Sequence, residues 1–390
     1  KDFWELKTTY RDTEFSSTIG KLHAEEKAKK AIAYVSNEPF EVTSFEQKEG
    51  KEHPPRLYDL TSIQVDANNK FGFTAENTLK LVQGLYEKKI VTYPRVDTTY
   101  LPNDMYPKIN GILKGLDYYK RFTESIVDKE IRKSKKVFDD KKITDHHAIV
   151  PTGINPSGIS PEENQIFDLI ARRFISVFYP DCKVSNTTVL GKVKKVAFKA
   201  TGKQILDQGW RVVYADQKTS KKSSDEDKIM PHFEKGESGD HEPKIIKKQT
   251  SPPKYFTEAT LLRGMESAGK QVDDEELREA MKENGIGRPS TRANIIETLF
   301  RRKYIEKKRK NIHATITGVQ LIEVIENELL KSAELTGQWE KKLREIEQGT
   351  YDLAIFQDEL KKMVLDLTNE VKYGDSGKTI ALVDESKKKE

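Results

Sequence analysis

Hydrophobic and polar positions change their period three times along this chain. From residue 3 to residue 10 they alternate, with Trp4, Leu6 and Thr8 on one side and Glu5 and Lys7 on the other. Residues 40–47 alternate again, Phe40, Val42 and Ser44 opposing Glu41, Thr43 and Phe45. Period two predicts half-buried antiparallel strands. Pro54-Pro55 ends that stretch and helical spacing follows. Asp59 is placed to cap a helix carrying Leu60, Ile63, Ala67 and Phe71 on one face. Gly72 turns the chain, and Thr74 caps a second helix with Leu81, Val82, Leu85 and Tyr86 inward. A short strand, Ile90-Val91-Thr92, completes the outline of a helix-turn-helix unit. A further helix is expected from Pro161 to Tyr179, with Ile166, Leu169, Ile170 and Phe174 as its stripe.

Period two returns between Val184 and Tyr214, in Val196-Ala197-Phe198-Lys199-Ala200 and Trp210-Arg211-Val212-Val213-Tyr214. Two strand-rich blocks therefore flank one helical block, and the simplest topology is a β domain interrupted by a helical insertion. Residues 216–240 are rich in Lys, Ser, Asp and Glu and are expected to form a mobile loop. Pro252-Pro253 opens a last helical region. Its helix around Thr291–Arg302 leads into Tyr304-Ile305-Glu306, a Lys/Arg turn, His313-Ala314-Thr315-Ile316 and a helix from Gly318, an order like that of a winged helix. The expected fold class is multi-domain mixed α and β: strand-rich at 1–57 and 181–250, helical at 58–180 and 251–372, with a tail at 373–390.

Composition adds limits. The 390 residues suffice for several cores. A net charge of +5 is too small an excess to name a nucleic-acid partner without a local pattern. A single cysteine, Cys182, excludes an internal disulfide and a cysteine zinc site, and points to a reducing cytosol. No apolar run approaches the ~20 residues of a membrane helix. The chain opens at Lys1-Asp2-Phe3-Trp4, already strand-like and without an initiator Met, and reads as a fragment.

Three segments carry candidate chemistry. In Thr92-Tyr93-Pro94-Arg95-Val96-Asp97-Thr98, a tyrosine leaves a strand two residues before an arginine. Pro94 biases Tyr93 toward extended geometry, in which alternate residues share a side and a phosphate fits between Tyr93 and Arg95. Tyrosine, with a free pKa near ~10, needs cationic help to attack phosphorus, and arginine supplies it. A strand-end tyrosine beside a solvated arginine would leave the same trace. Thr144-Asp145-His146-His147-Ala148-Ile149-Val150-Pro151-Thr152 offers a histidine with a pKa suited to phosphate or proton handling. Gly285-Ile286-Gly287-Arg288-Pro289-Ser290-Thr291-Arg292 combines close backbone approach, a helix start capped by Ser290 or Thr291, and two arginines. It suits a phosphate but lacks the ending of a nucleotide P-loop.

Taken together, these segments resemble the motifs of type IA DNA topoisomerases, of the bacterial topoisomerase III kind. Pro252-Pro253-Lys254-Tyr255-Phe256-Thr257-Glu258-Ala259, Tyr58-Asp59-Leu60-Thr61-Ser62-Ile63-Gln64 and Gly209–Tyr214 (a gate-domain strand) resemble further family segments, in family order. Val96 stands where Thr or Ser is frequent, and Lys254 where Arg is commoner. The resemblance implies an arch built of a strand-rich gate domain, a helical domain holding the tyrosine, and a helical winged-helix-like domain. It implies Tyr93 as nucleophile toward a DNA phosphodiester, keeping the 5′ phosphate, with Arg95 stabilising charge and His146 near the scissile phosphate. Gln64, Asp97, Thr98, Lys254, Arg288, Ser290, Thr291 and Arg292 are the implied DNA contacts. It further implies Mg²⁺ held by a separate Toprim domain, no metal on this chain, no ATP, single-stranded DNA as partner, no membrane, a monomer, and a bacterial cytosol or nucleoid location. The only Asp-x-Asp, Asp225-Glu226-Asp227, lies in the Lys/Ser-rich loop and reads as solvated charge. Of the basic clusters, Arg301-Arg302-Lys303 is the favoured phosphate contact; Arg132–Lys136 and Lys307–Lys310 read as solvated.

A non-enzymatic winged-helix or helix-turn-helix DNA-binding module is the competing class. It gives no reason for the order of the three motifs, and fixed half-site spacing on duplex DNA would favour it. A tyrosine recombinase or relaxase would need an Arg/His/Lys set or a His-rich metal cluster that the sequence lacks.

Overall fold

A computed structural model describes residues 1–127, 129–143, 145–217, 229–272, 275–281, 285–373 and 380. The chain divides into two compact units, Lys1–Pro55 with Ile175–Lys254, and Arg56–Phe174 with Tyr255–Glu390.

The first unit is a seven-stranded antiparallel sheet drawn from both strand-rich blocks. In chain order it comprises β1 (Asp2–Tyr10), β2 (Thr13–Ser17), helix α1 (Glu25–Val35), β3 (Phe40–Glu52), β4 (Cys182–Val193), β5 (Val196–Asp207), β6 (Ser238–Gly239) and β7 (Glu242–Gln249). Its spatial order is β6-β3-β4-β5-β2-β1-β7. Sequence-distant strands are zipped directly, β3 to β4 from Glu41↔Lys192 to Glu52↔Cys182, and β1 to β7 from Asp2↔Gln249 to Thr9↔Glu242. The alternation read from the sequence sends Leu6, Phe15, Phe40, Val42, Val189 and Phe198 into one core. Phe40 lies over Gly191, where an added Cβ would come within 2.1 Å of its ring.

One expectation fails in this unit. Gly209–Tyr214 is a 3-10 turn, not a strand. Gly209 adopts φ +50° against the Pro180 and Asp181 carbonyls, and Trp210 N–H bonds to Pro180 O at 3.0 Å, so the backbone coils. Trp210 Nε1 then donates to Glu52 O at 2.9 Å, and Arg211 pairs with Glu52 at 2.5 Å. Of the stretch expected as a mobile loop, 216–240, residues 218–228 lie outside the described residues; the rest is irregular apart from β6 and holds a core residue, Phe233, 1% exposed among Tyr10, Phe15 and Phe45. An isolated aromatic in a charged run offers little periodicity to read.

The second unit is helical. Helix α2 (Leu60–Phe71) begins at a capping box between Asp59 and Ser62 and ends at Gly72, φ +76°. Helix α3 (Ala75–Glu87) is capped by Thr74, whose side chain accepts from Asn77 N–H at 3.0 Å. Helices α4 (Ile109–Lys114), α5 (Lys120–Val127) and α6 (Pro161–Ser176, its last two residues in the sheet unit) follow. After the sheet segments come α7 (Glu258–Glu266), α8 (Glu275–Ala280), α9 (Pro289–Arg301), the hairpin β8 (Ile305–Lys308) and β9 (Asn311–Ala314), then α10 (Ile316–Val324), α11 (Glu334–Glu347) and α12 (Leu353–Tyr373). Val65 of α2 and Ala75 of α3 share a core with Ala259, Leu262 and Met265 of α7 and Ala293 and Ile296 of α9. Glu258, 3% exposed, ties the group together: it accepts Ala75 N–H at 2.9 Å and pairs with Lys307 at 2.9 Å. The strand expected at Ile90–Thr92 is a single bridge, Val91 to Pro151. No helix among the described residues is long and apolar enough to cross a membrane.

Candidate active site

Two segments distant in sequence are sewn together around Tyr93. Thr92 N–H donates to Val150 O at 2.9 Å, and the Thr92 hydroxyl donates to Ala148 O at 3.1 Å while accepting Val150 N–H at 3.0 Å. Thr152 N–H bonds to Ile90 O at 3.0 Å, and its hydroxyl donates to Lys89 O at 2.7 Å. Farther along, Leu60 N–H reaches Val96 O at 3.0 Å and Ala148 N–H reaches Tyr100 O at 3.0 Å. The backbone on both sides of Tyr93 is thereby fixed, and the His146 segment is fixed with it.

Within this frame burial alternates. Pro94, Val96 and Thr98 are buried, Tyr93 is half-buried, and Arg95 and Asp97 are exposed. Arg95 and Asp97 are thus open to solvent and Tyr93 is partly so, with a bend in the backbone at Pro94. The Tyr93 and His146 rings lie 4.4 Å apart between centroids, inclined by 41°. Tyr86, at the end of α3, presents an edge to Tyr93 with centroids 5.5 Å apart and planes at 81°. Edge-to-face geometry of this kind is favourable by about 0.5–1.5 kcal/mol. Tyr86, expected to point inward, is instead 38% exposed, because α3 buries Ala75, Thr78, Val82 and Leu85. The sequence pattern does not reveal its place beside Tyr93, although it stands seven residues before the tyrosine at the margin of the apolar stripe. Thr92 likewise reads in sequence only as part of a strand.

The glycine segment builds a second polar surface. Gly285 and Gly287 have φ +62° and +68°, and a Cβ on Gly285 would come within 2.2 Å of Met265 O. The chain can pass there only without a side chain. Helix α9 then starts at Pro289 with Arg288 in the cap position. Neither Ser290 nor Thr291 caps it; Thr291 donates its hydroxyl to Arg288 O at 3.0 Å. Exposed Arg288 and Thr291 and half-buried Ser290 surround a helix N-terminus whose N–H groups favour an anion. Lys254 is exposed at the end of the sheet unit.

Three expected DNA contacts face the interior instead. Gln64 is fully buried and donates to Ala75 O at 3.0 Å, because it lies on the α2 face that packs on its neighbours. Thr98, 7% exposed, donates to Lys142 O at 2.6 Å. Arg292, 1% exposed, donates to Thr61 Oγ1 at 3.0 Å and Ile286 O at 3.3 Å. Burial lowers its pKa, an effect opposed by nearby Glu266 and Asp59. These three side chains tie α2, the tyrosine segment and α9 to their neighbours, and the Gln64 Oε1 atom is buried without a hydrogen-bond partner.

The family model for DNA topoisomerase matches residues 1–358. The chain belongs to that family. It is a type IA, topoisomerase III-like member. It is similar to DNA topoisomerase 3 of Bacillus cereus (strain ATCC 14579), 36% identical over 384 residues, covering 95% of this chain and 52% of that protein. DNA topoisomerase 3 of Bacillus subtilis (strain 168) is 37% identical over 332 residues, covering 83% of this chain and 46% of that protein. The chain thus spans about half the length of the curated relatives it matches. The full-length topoisomerase I of Thermotoga maritima shares the fold, with a TM-score of 0.69 at 23% identity, covering 94% of this chain and 58% of that one.

Among the described residues no three His, Cys, Asp or Glu side chains are grouped so as to hold a metal ion. Asp225-Glu226-Asp227 and the tail after residue 373, Ile380 excepted, lie outside the described residues.

Proposed function

We propose that this chain carries the nucleophile and part of the DNA-binding surface of an ATP-independent type IA topoisomerase, which cuts one DNA strand, passes another through the gap and reseals it. The observation that carries the reading is the Tyr93 constellation: a tyrosine flanked by the His146 and Tyr86 rings, with exposed Arg95 and Asp97 following it in the chain. In this reading Tyr93 Oη attacks a phosphodiester. The O–P bond to tyrosine forms, the P–O3′ bond breaks, and the 5′ phosphate stays on the enzyme. The phenol proton leaves and a proton reaches the departing 3′ oxygen. Arg95 offsets the charge that builds on the phosphate oxygens, and His146 lies beside the reacting phenol. The phosphotyrosine conserves the bond energy, so resealing reverses the same step. Magnesium, when bound by the complete enzyme, supplies charge neutralisation at the DNA; no step on this chain runs through it.

We further infer that DNA, chiefly in single-stranded segments, is the partner, that Arg288, Ser290, Thr291 and Lys254 approach its backbone, and that the chain alone binds DNA but cleaves it poorly. The test mixes the chain with end-labelled single-stranded DNA, Mg²⁺ and a separately made Toprim-containing half, then denatures the mixture. A covalent adduct on the 5′ phosphate that disappears with Tyr93→Phe is the expected result. If the two halves bind each other yet no adduct forms, Tyr93 is structural and the DNA-binding-module reading takes over. Cleavage by the chain alone at the rate of the reconstituted enzyme would refute the division of labour.

A further inference from the structure

The segment that opens the last helical region carries an aromatic surface that the cleavage chemistry does not use. Phe256 O accepts Ile312 N–H at 2.7 Å, so residues 255–256 run alongside β9. This brings Tyr255 onto His313, with ring centroids 4.0 Å apart and planes inclined by 34°. Tyr255 is nevertheless 62% exposed, so much of its ring faces solvent with an imidazole behind it. The exposed ring stands beside the hairpin, held by a backbone bond and a ring contact, and offers a flat face to a ligand.

The charge around it is arranged by the register of the hairpin. Glu306 lies opposite His313 and Lys308 opposite Asn311. Period two puts Glu306, Lys308, Asn311 and His313 on one face, while Ile312 is buried on the other. The one carboxylate on that face, Glu306, is neutralised by Lys308 at 2.9 Å. The turn beyond adds exposed Arg309 and Lys310, Arg309 at φ +58°. From His313 to the start of the turn is two residues, about 7 Å along a strand. An aromatic face next to a basic turn matches the two parts of a single strand, a base with a π face and a phosphate beside it.

We propose that Tyr255, backed by His313, is a stacking platform for one base of single-stranded DNA whose neighbouring phosphate lies at the Lys308–Lys310 turn. The inference rests on the DNA-binding reading above and adds to it a subsite remote in sequence from Tyr93. It is sequence-tolerant, because stacking uses a feature common to all bases.

Fluorescence anisotropy with labelled oligothymidylate tests it on the chain as it stands. Tyr255→Ala is expected to weaken binding by about five- to hundredfold, while Tyr255→Phe stays within about twofold. The slope of log K against log salt should be unchanged by Tyr255→Ala. In an Arg309→Ala, Lys310→Ala double variant it should become shallower by about 0.7 for each phosphate that is no longer neutralised. Moving an abasic nucleotide along the oligonucleotide needs no protein variant. One position should weaken wild-type binding, and that sensitivity should vanish in Tyr255→Ala. Binding that Tyr255→Ala leaves intact, equal losses in Tyr255→Phe and Tyr255→Ala, or indifference to abasic nucleotides at every position would overturn the platform alone. Failure of the wild-type chain to bind the oligonucleotide at all would overturn the DNA-binding reading together with the platform.

Discussion

Removing one hydroxyl should uncouple the two halves of the candidate active site. Thr92 is the only described side chain that bonds both to Ala148 O and to Val150 N–H. Thr92→Val keeps the branched shape and deletes the oxygen. Ala148 O retains a partner, since His147 Nδ1 lies 2.8 Å from it. Val150 N–H does not, and it sits in backbone where Ala148, Ile149 and Val150 are at most 1% exposed. An orphaned buried donor costs about 1–3 kcal/mol. The two backbone bonds that flank the site, Thr92 N–H to Val150 O and Thr152 N–H to Ile90 O, survive, so the loss is local. A value near 2 kcal/mol corresponds to about thirtyfold faster exchange of the Val150 amide.

Hydrogen–deuterium exchange under native conditions reads this directly, and suits a chain of two units better than a global unfolding energy. Thr92→Ser keeps the hydroxyl and is the control, expected within about threefold of wild type. In the reconstituted cleavage assay Thr92→Val should also lower adduct formation, because His146 stands two residues from Ala148 and loses its hold beside Tyr93. If Val150 exchanges no faster in Thr92→Val than in wild type, or if Ser behaves like Val, the hydroxyl clasp is not what joins the segments.

Further outcomes follow from the same geometry. Tyr86→Ala should slow adduct formation by up to about tenfold, the worth of one edge-to-face ring contact, with oligonucleotide affinity unchanged and Tyr86→Phe near wild type; equal rates for Tyr86→Ala and wild type would remove Tyr86 from the site. Gly285→Ala should destabilise the helical unit by at least about 3 kcal/mol in urea titration, because φ is +62° and the new Cβ meets Met265 O at 2.2 Å. Arg292→Lys should cost about 2 kcal/mol of stability without changing the salt slope of DNA binding, as expected of a buried hydrogen-bonding arginine; a changed slope with unchanged stability would return it to the DNA surface. Glu14 is held down to about 2 by hydrogen bonds from Lys244 and then Lys7. Its stabilisation of the sheet unit is therefore complete above its unfolded pKa of 4.5 and is lost as pH falls toward about 2. For a carboxylate 38% exposed this is about 1 kcal/mol after screening, and Glu14→Gln should flatten the acid limb of a stability–pH curve by that amount.

What is legible in the sequence, and what is not, follows from the range of the interactions. Caps and period are local, so the Asp59 and Thr74 helix starts, the Gly72 turn and the alternating strands can be read from neighbours a few residues apart. The 3-10 turn at Gly209–Tyr214 defeats the same reasoning. Its alternation is strand-like, but the Pro180 carbonyl, thirty residues earlier, captures Trp210 N–H and coils the chain. Burial on a helix also has a local and a non-local part. The 3.6 period says which residues share a face, and Gln64 and Arg292 do share faces with apolar neighbours. Their polar ends suggest a ligand, and each also has a partner inside the protein, Gln64 Nε2 at Ala75 O and Arg292 at Thr61 Oγ1, while Gln64 Oε1 is left buried without one. The same distinction bears on the site itself. Tyr93 and Arg95 stand out in sequence because extended geometry puts residues i and i+2 on one side. His146 is fifty-three residues away, and no periodicity links it to Tyr93. What brings them together is the Thr92 and Thr152 hydroxyls and three backbone hydrogen bonds, none encoded in a distinctive residue type. A threonine next to the tyrosine is thus as specific a requirement of the geometry as the tyrosine's own neighbours. The consequence is that substitutions at Thr92 and Tyr86 should separate assembly of the site from binding of DNA, whereas substitutions at Tyr255 should do the reverse.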